Sequence, residues 1–442
     1  MGMALTSIRL CNFKCFEDSG EIPLAPLTVI FGRNNTGKSS ILQSLFLFRQ
    51  TLDSPEHRAR FNIAGPLYVA GGYSDIVYRH AKKRRMEFEF GVQANELSAI
   101  VAFKFSSDEP NQPRLLSLRI HNPDQWSIEF RNDESRPERD LFRSFENGEE
   151  TGEEGGEGYF NFPRGYFLPI IGELPGEENK TRNRVRWFAR CILDSLQKEV
   201  ERFRAVGAFR QLPNRLYEYQ GKTPEVVDLV GKNAINALID DTRNNSRLLE
   251  NLNQWIEKTG HIRVRPPRPI SRTAKLYDLI VEDAISGTSA SLVDSGSGVG
   301  QALPVFIEGL RTPSEALFLV QEPETHLHPD AVLAMADFLI SIVRSGRRVI
   351  VETHSEQILL RIRHRIAGAR TNGAKKLVLS PDEVSLIYVN KPPKGPSTAT
   401  RLNIDKLGQI PDWPRDFMEE TSEERLAIME AMVGQSKAGR KR

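Results

Sequence analysis

The chain has 442 residues, 39% hydrophobic and 27% charged, with a formal net charge of only +2. That length suits a large core and two lobes, and the charge neither demands nor excludes nucleic acid. No apolar stretch reaches the ~20 residues that span a bilayer, no signal peptide precedes the first strand, and Cys11, Cys15 and Cys191 form no disulfide framework, so a cytoplasmic protein is expected.

In chain order, strands are predicted at Ser7–Leu10 and Leu27–Phe31, then at Met86–Phe90, Ala99–Phe105, Leu115–Ile120 and Trp126–Phe130. Several alternate polar and apolar residues, as half-buried antiparallel strands do. Residues 132–158 are dense in Glu, Asp, Gly and Arg, with Glu149–Glu157 at the centre. This composition predicts a flexible loop. Helices are predicted around Arg184–Arg204, Pro224–Ile239 and Thr242–Lys258, and strands return at His261–Val264 and Leu276–Val281. From Ser297 helix and strand alternate, and Leu317–Val320 and Val349–Val351 are apolar runs of the buried parallel type. A strand pair (Val384–Val389, Thr400–Ile404), a helix (Asp416–Met432) and a basic, disordered tail complete the chain. The expected division is an N-terminal lobe over 1–131, an acidic loop plus mainly helical insertion over 132–260, and a C-terminal lobe over 261–442. Neither an internal repeat nor a sustained heptad is present.

The chemistry is carried first by Gly32-Arg33-Asn34-Asn35-Thr36-Gly37-Lys38-Ser39, a complete G-x-x-x-x-G-K-S phosphate loop with Ser40 behind it. The strand before it and the apolar helical spacing of Ile41, Leu42, Leu45, Phe46 and Phe48 after it are the context the motif needs. Backbone N–H groups and the helix N-terminus attract phosphate. Lys38 then reaches the β/γ-phosphates of ATP, and the Ser39 hydroxyl ligates Mg²⁺.

A carboxylate at the end of an apolar strand holds Mg²⁺ and activates water in such enzymes. Glu322, at the end of Ala316–Val320 and just before Pro323, occupies the place of the general base. His354 closes the next apolar strand and is expected to report the γ-phosphate. Asp294–Gln301 is Gly- and Ser-rich and opens a helix, a second anion site. One chain cannot easily place it on phosphates its own loop already covers, so a head-to-tail dimer with ATP between subunits is expected.

The order of loop, long insertion, Gly/Ser signature, carboxylate and switch His is that of an ABC-type head. The chain resembles the prokaryotic ATPases related to RecF, SMC and OLD (overcoming lysogenization defect) proteins. The residues that carry the resemblance are Asn12–Phe16 before the phosphate loop, Gln321–Pro329 and Glu352–Ser355. Gly207–Tyr217 and Gly408–Pro414 resemble a stand-alone branch common in phage defence. The match leaves out residues 132–258.

The resemblance implies an α/β ABC-type P-loop ATPase head with a mixed sheet, an antiparallel β subdomain and an inserted helical region. It implies that Ser297 and Gly298 act as the signature across a dimer, Glu322 as general base and His354 as switch. The family has an acid where this chain has Gln321. A neutral amide can hold a metal-bound water but adds no charge to Mg²⁺, so slow hydrolysis is expected. His326 and His328 lack a third ligand and are read as shaping the dimer contact.

The functional expectation is an ATP-hydrolysing sensor that controls a separate effector, a nuclease on another polypeptide, in antiviral defence. OLD proteins append a nuclease with an Asp-x-Asp pair, and none follows His354. A RecF-like clamp acting on DNA, or a scaffold with little turnover, stays open. Arg182, Arg184 and Arg186, and Arg263, Arg265, Arg268, Arg272 and Lys275, are basic clusters that suit DNA phosphates. The acidic run could equally pair with them. Arg210 and Arg215 are candidates for contact with nucleotide or partner subunit.

Overall fold

The computed structural model describes residues 4–54, 60–106, 113–122, 125–133, 141–150, 159–161, 167–169, 171–172, 179–219, 221–222, 225–244, 247–271, 273, 275–368 and 377–414. Its centre is a six-stranded sheet in the order Arg204–Val206, Leu317–Gln321, Arg348–Thr353, Leu27–Phe31, Val384–Asn390, Thr398–Leu402. The first five strands run parallel and the last pairs antiparallel. We refer to Leu27–Phe31 as the loop strand, Leu317–Gln321 as the carboxylate strand and Arg348–Thr353 as the switch strand.

Strands covered on both faces read as unbroken apolar runs. The loop strand and switch strand are buried at every position. Successive side chains still alternate between the faces. Ile30, Leu317, Leu319, Ile350, Ile387 and Val389 join one apolar cluster, while Val29, Phe318, Val320, Val349 and Val351 join another.

The first cluster is shared with helix α1 (Lys38–Asp53) and with a ten-stranded antiparallel sheet. That sheet's spine is Leu5–Phe13, Met86–Ala94, Leu97–Ser106, Arg114–Asn122, Trp126–Asn132 and Leu141–Glu146. Phe48 of α1 lies at its centre, with the rings of Phe90 and Phe103 each 4.6 Å away in edge-to-face contact. Helix α2 (Lys180–Arg202) packs on the same sheet through Ala189, Ile192, Leu193 and Leu196. Helices α3 (Ala234–Arg243), α4 (Leu248–Gly260), α5 (Ser297–Arg311), α6 (Pro329–Arg344) and α7 (Glu356–Ala367) cover the other face.

Several expectations change in detail. Leu141–Glu146 is a strand rather than a loop, because Phe142 sits in the core and Glu146, on the same face, is buried against Arg186, while Arg143 lies on the opposite face. The acidic centre beyond Glu150 lies outside the described residues up to Gly158, as do the helix expected at Asp416–Met432 and the basic tail. The helix expected over Pro224–Ile239 begins only at Ala234. Gly231 turns there with φ 78°, and its N–H bonds the Asp228 carbonyl at 2.9 Å. The next helix begins at Leu248, where Asp241 accepts from the N–H groups of Leu248 and Leu249, both at 3.2 Å. No helix among the described residues is long and apolar enough to cross a membrane.

Candidate functional site

The phosphate loop joins the loop strand to α1, as the motif requires. Gly32 and Gly37 have φ of 148° and 104°, values that favour glycine. Both are also crowded: a Cβ on Gly32 would meet the Val389 carbonyl oxygen at 2.2 Å, and one on Gly37 would meet Cys15 Sγ at 2.1 Å. Arg33, Asn34 and Asn35 are exposed, while Thr36 is buried and donates to the Arg33 carbonyl at 2.9 Å. Ser40 is buried beneath them.

Lys38 folds back on the loop, its Nζ donating to the carbonyls of Gly32 (3.0 Å) and Arg33 (2.9 Å). Burial lowers its pKa, and the carboxylates of Glu352, Glu322 and Glu324 oppose that shift.

The carboxylate strand does not adjoin the loop strand. The switch strand lies between them, pairing Glu352 with Gln321 on one side and with Ile30 on the other. The Ser39 hydroxyl donates to Glu352 Oε1 at 2.5 Å, and the Gln321 amide donates to Glu352 Oε2 at 2.6 Å. Burial raises the Glu352 pKa, against the pull of these two donors and Lys38. Sequence reasoning gave Glu352 no role. The available signal was a carboxylate interrupting an apolar buried strand.

Glu322 has φ 43°, and its N–H continues the ladder to the Glu352 carbonyl at 2.7 Å. Its carboxylate stands 3.5 Å from His354 Nδ1. The contact with His354 lowers the Glu322 pKa, and the contact with Glu322 raises that of His354. Glu324, buried, accepts from Thr353 Oγ1 (2.5 Å) and from the backbone N–H of His354 (3.1 Å). It thereby fixes the end of the switch strand, a role the sequence did not disclose.

Arg210 also acquires a definite place. It is buried, and its Nη2 donates to the carbonyls of Gln321 (2.6 Å) and Glu322 (2.9 Å). Arg215 forms a two-pronged, exposed pair with Asp294 at 2.7 and 2.9 Å, just ahead of α5. Ser297 is exposed at the start of α5. Gly298 lies against the segment after Glu322: a Cβ there would stand 2.5 Å from the His326 carbonyl oxygen. Among the described residues no hydrogen bond joins Ser297 or Gly298 to residues 32–40. The loop, Glu322, Glu352 and His354 are therefore gathered together, while Gly298 packs closely against the His326 carbonyl. His328 caps α6, its ring nitrogen accepting from the Asp330 N–H at 3.4 Å.

The donor set fits a hard cation. Ser39 and Glu352 offer oxygen, and Mg²⁺ is usually held by one or two carboxylates together with substrate phosphates. Among the described residues no group of three or more His, Cys, Asp or Glu could hold a metal unaided. A site completed by a nucleotide's own phosphates matches that sparse set.

The basic clusters are largely paired internally. Glu146 binds Arg182 (2.8 Å) and buried Arg186 (3.1 Å), and Arg184 lies over the Phe188 ring. Arg263, Arg265 and Arg268 pair with Glu257, Glu282 and Asp278. Arg272 lies outside the described residues.

Residues 27–361 match the family described as "AAA domain, putative AbiEii toxin, Type IV TA system". The chain belongs to this family. The matched span runs from the loop strand into α7 and so contains the phosphate loop, Gln321, Glu322, Glu324, Glu352 and His354. The expected resemblance to OLD-type ATPases also holds. The "Old nuclease" of Escherichia phage P2 is 20% identical over 381 residues, which is 81% of this chain and 58% of that protein. The chain thus spans little more than half the length of this curated relative. Among solved structures, an Smc head bound to the C-terminal winged-helix domain of ScpA aligns over 91% of this chain and 98% of its own, with 15% identity and a TM-score of 0.46. The SMC head domain from Thermotoga maritima aligns over 91% and 100%, with 12% identity and a TM-score of 0.40.

Proposed function

We propose that this AAA-family ATPase binds ATP with Mg²⁺ on the 32–40 loop and hydrolyses it with Glu322 as general base. The observation that carries the reading is the convergence of Lys38, Ser39, Gln321, Glu322, Glu352 and His354 at one end of three adjacent strands. Lys38 exchanges its loop carbonyls for the β/γ-phosphates. Bound Mg²⁺ would supply charge neutralisation to those phosphates. Glu322, held ionised by His354, takes a proton from the attacking water. His354 stands beside it, within reach of a terminal phosphate.

In this reading Ser297 and Gly298 of one head close over the loop of a second, head to tail, and the nucleotide state governs a separate effector, a nuclease, in antiviral defence. The exposed start of α5 supports the sandwich. The family description, with its toxin and type IV system, and the likeness to a phage nuclease support the defence setting.

The test is ATP-dependent association on a Glu322→Gln background, followed by light scattering. Lys38→Ala should lose ATP affinity by about 10–100-fold, as expected for removing a charge-assisted bond of roughly 1.5–3 kcal/mol. Ser297→Arg should bind ATP normally yet fail to associate on ATP. Unchanged ATP binding by folded Lys38→Ala would refute the loop assignment. Full ATP-dependent closure of Ser297→Arg would refute the sandwich. Hydrolysis stimulated by bare DNA would favour the clamp instead.

A further inference from the structure

We propose that Glu352, on the switch strand, supplies the carboxylate that holds Mg²⁺ in this site, in place of the residue preceding the general base, which here is Gln321. The inference rests on the reading of the site as an ATP–Mg²⁺ site.

Sheet order is the first reason. The switch strand adjoins the loop strand, and the carboxylate strand is one position further out. Neighbouring strands are about 5 Å apart. Gln321 and Glu352 share a register position, so a side chain at 352 starts one strand spacing closer to Ser39 than a side chain at 321.

Contact is the second reason. Ser39 already donates to Glu352 Oε1. The serine of the loop is the residue whose hydroxyl faces the metal in this motif, and its partner here is Glu352 rather than Gln321.

The orientation of Gln321 is the third. Its donor end is turned to Glu352 Oε2. A carboxylate is an acceptor only, so the amide nitrogen, which cannot ligate a cation, must face it. Gln321 is therefore a positioning residue that fixes the Glu352 rotamer. It also explains why the residue is neutral: a glutamate at 321 would set a second negative charge against the buried Glu352, which is 2% exposed. The charge that the sequence shows as missing from the carboxylate strand is present one strand away.

The test measures metal binding directly. Mn²⁺ is titrated into the intact protein saturated with ATPγS and followed by electron paramagnetic resonance, with calorimetry of ATPγS binding in EDTA alongside. Glu352→Gln should weaken Mn²⁺ binding in the nucleotide complex by about 10–100-fold, the range seen when metal-supporting groups are lost. Its metal-free ATPγS affinity should stay within about twofold of wild type. Glu352→Asp, which keeps the charge on a shorter stem, should fall between the two. Wild-type Mn²⁺ affinity in Glu352→Gln would overturn the proposal. So would a loss of metal-free ATPγS binding equal to the loss of Mn²⁺ binding, which marks a structural role. If Glu352→Gln does not fold, Glu352→Asp decides, and Mn²⁺ affinity equal to wild type overturns the proposal. Wild type that binds no ATPγS would instead refute the nucleotide reading itself, and the proposal with it.

Discussion

Arg348 and Glu352 stand at opposite ends of the same strand, and both are nearly sealed from water, at 7% and 2% exposure. They are held in different ways. Arg348 has an ionic partner, Glu199, at 3.5 Å, and among the described residues none of its side-chain nitrogens has a hydrogen-bond partner. Glu352 receives hydrogen bonds from two neutral side chains, Ser39 and Gln321. A buried pair of opposite charges is self-contained, and removing either member strands the other. A buried charge held by neutral donors keeps its net charge available. One end of the strand is thus closed by an ion pair, while the other holds its carboxylate on neutral donors beside the loop.

The sharpest break lies at the chemical end. Glu322→Gln keeps the shape of the site and removes the proton acceptor. Turnover should fall by about 10²–10⁴-fold, the usual contribution of general base catalysis, with ATP affinity retained. A single-turnover assay at saturating ATP measures this, and a loss under tenfold would mean another residue takes the proton.

At the structural end, Arg348→Met leaves the Glu199 carboxylate buried and unpaired. Stability should drop by about 3–5 kcal/mol, read from urea unfolding. Burial raises the Glu199 pKa and Arg348 opposes that shift, so loss of the arginine raises it further. A carboxyl with a raised folded pKa favours the folded state at low pH. The deficit in Arg348→Met should therefore shrink as pH falls through that raised value. Adding Glu199→Leu should recover most of the loss. A double variant as unstable as the single one would contradict the isolated-pair description.

The smallest effect concerns His354. Its pKa is raised above the ordinary 6.5 by the contact with Glu322, whose own pKa is lowered below 4.5. The pairing therefore adds stability that is fully present below the ordinary imidazole value and is lost as pH rises through the raised one. On the acid side it persists until Glu322 protonates, below the usual glutamate range. The His354 ring resonances should titrate above 6.5 by NMR and move back towards it in Glu322→Gln. An unmoved midpoint would show that the two side chains do not interact in solution.

Much of this was legible in the sequence because it is local. The phosphate loop, its strand and its helix are contiguous, and strand–Gly loop–helix is a pattern of one short segment. The apolar runs around Phe318 and Ile350 announce buried parallel strands for the same reason. The role of Glu352 was not legible because it depends on sheet order: residues 39 and 352 meet only when the switch strand inserts between the other two. Arg210 is similar, since nothing local to Phe209 or Gln211 shows that its guanidinium reaches the carbonyls of Gln321 and Glu322. The strand at Leu141–Glu146 was hidden by Glu146, whose partners Arg182 and Arg186 lie on a distant helix.

Lys38 has a further consequence, which concerns time rather than affinity. Its ammonium bridges the carbonyls of Gly32 and Arg33. A phosphate that takes this ammonium must first draw it away from those two carbonyls. Capture then has two successive events, and the observed rate should climb with nucleotide concentration only until unfastening becomes the slower of them. A stopped-flow trace that levels off at high ATP would be the kinetic imprint of one lysine bound to its own loop.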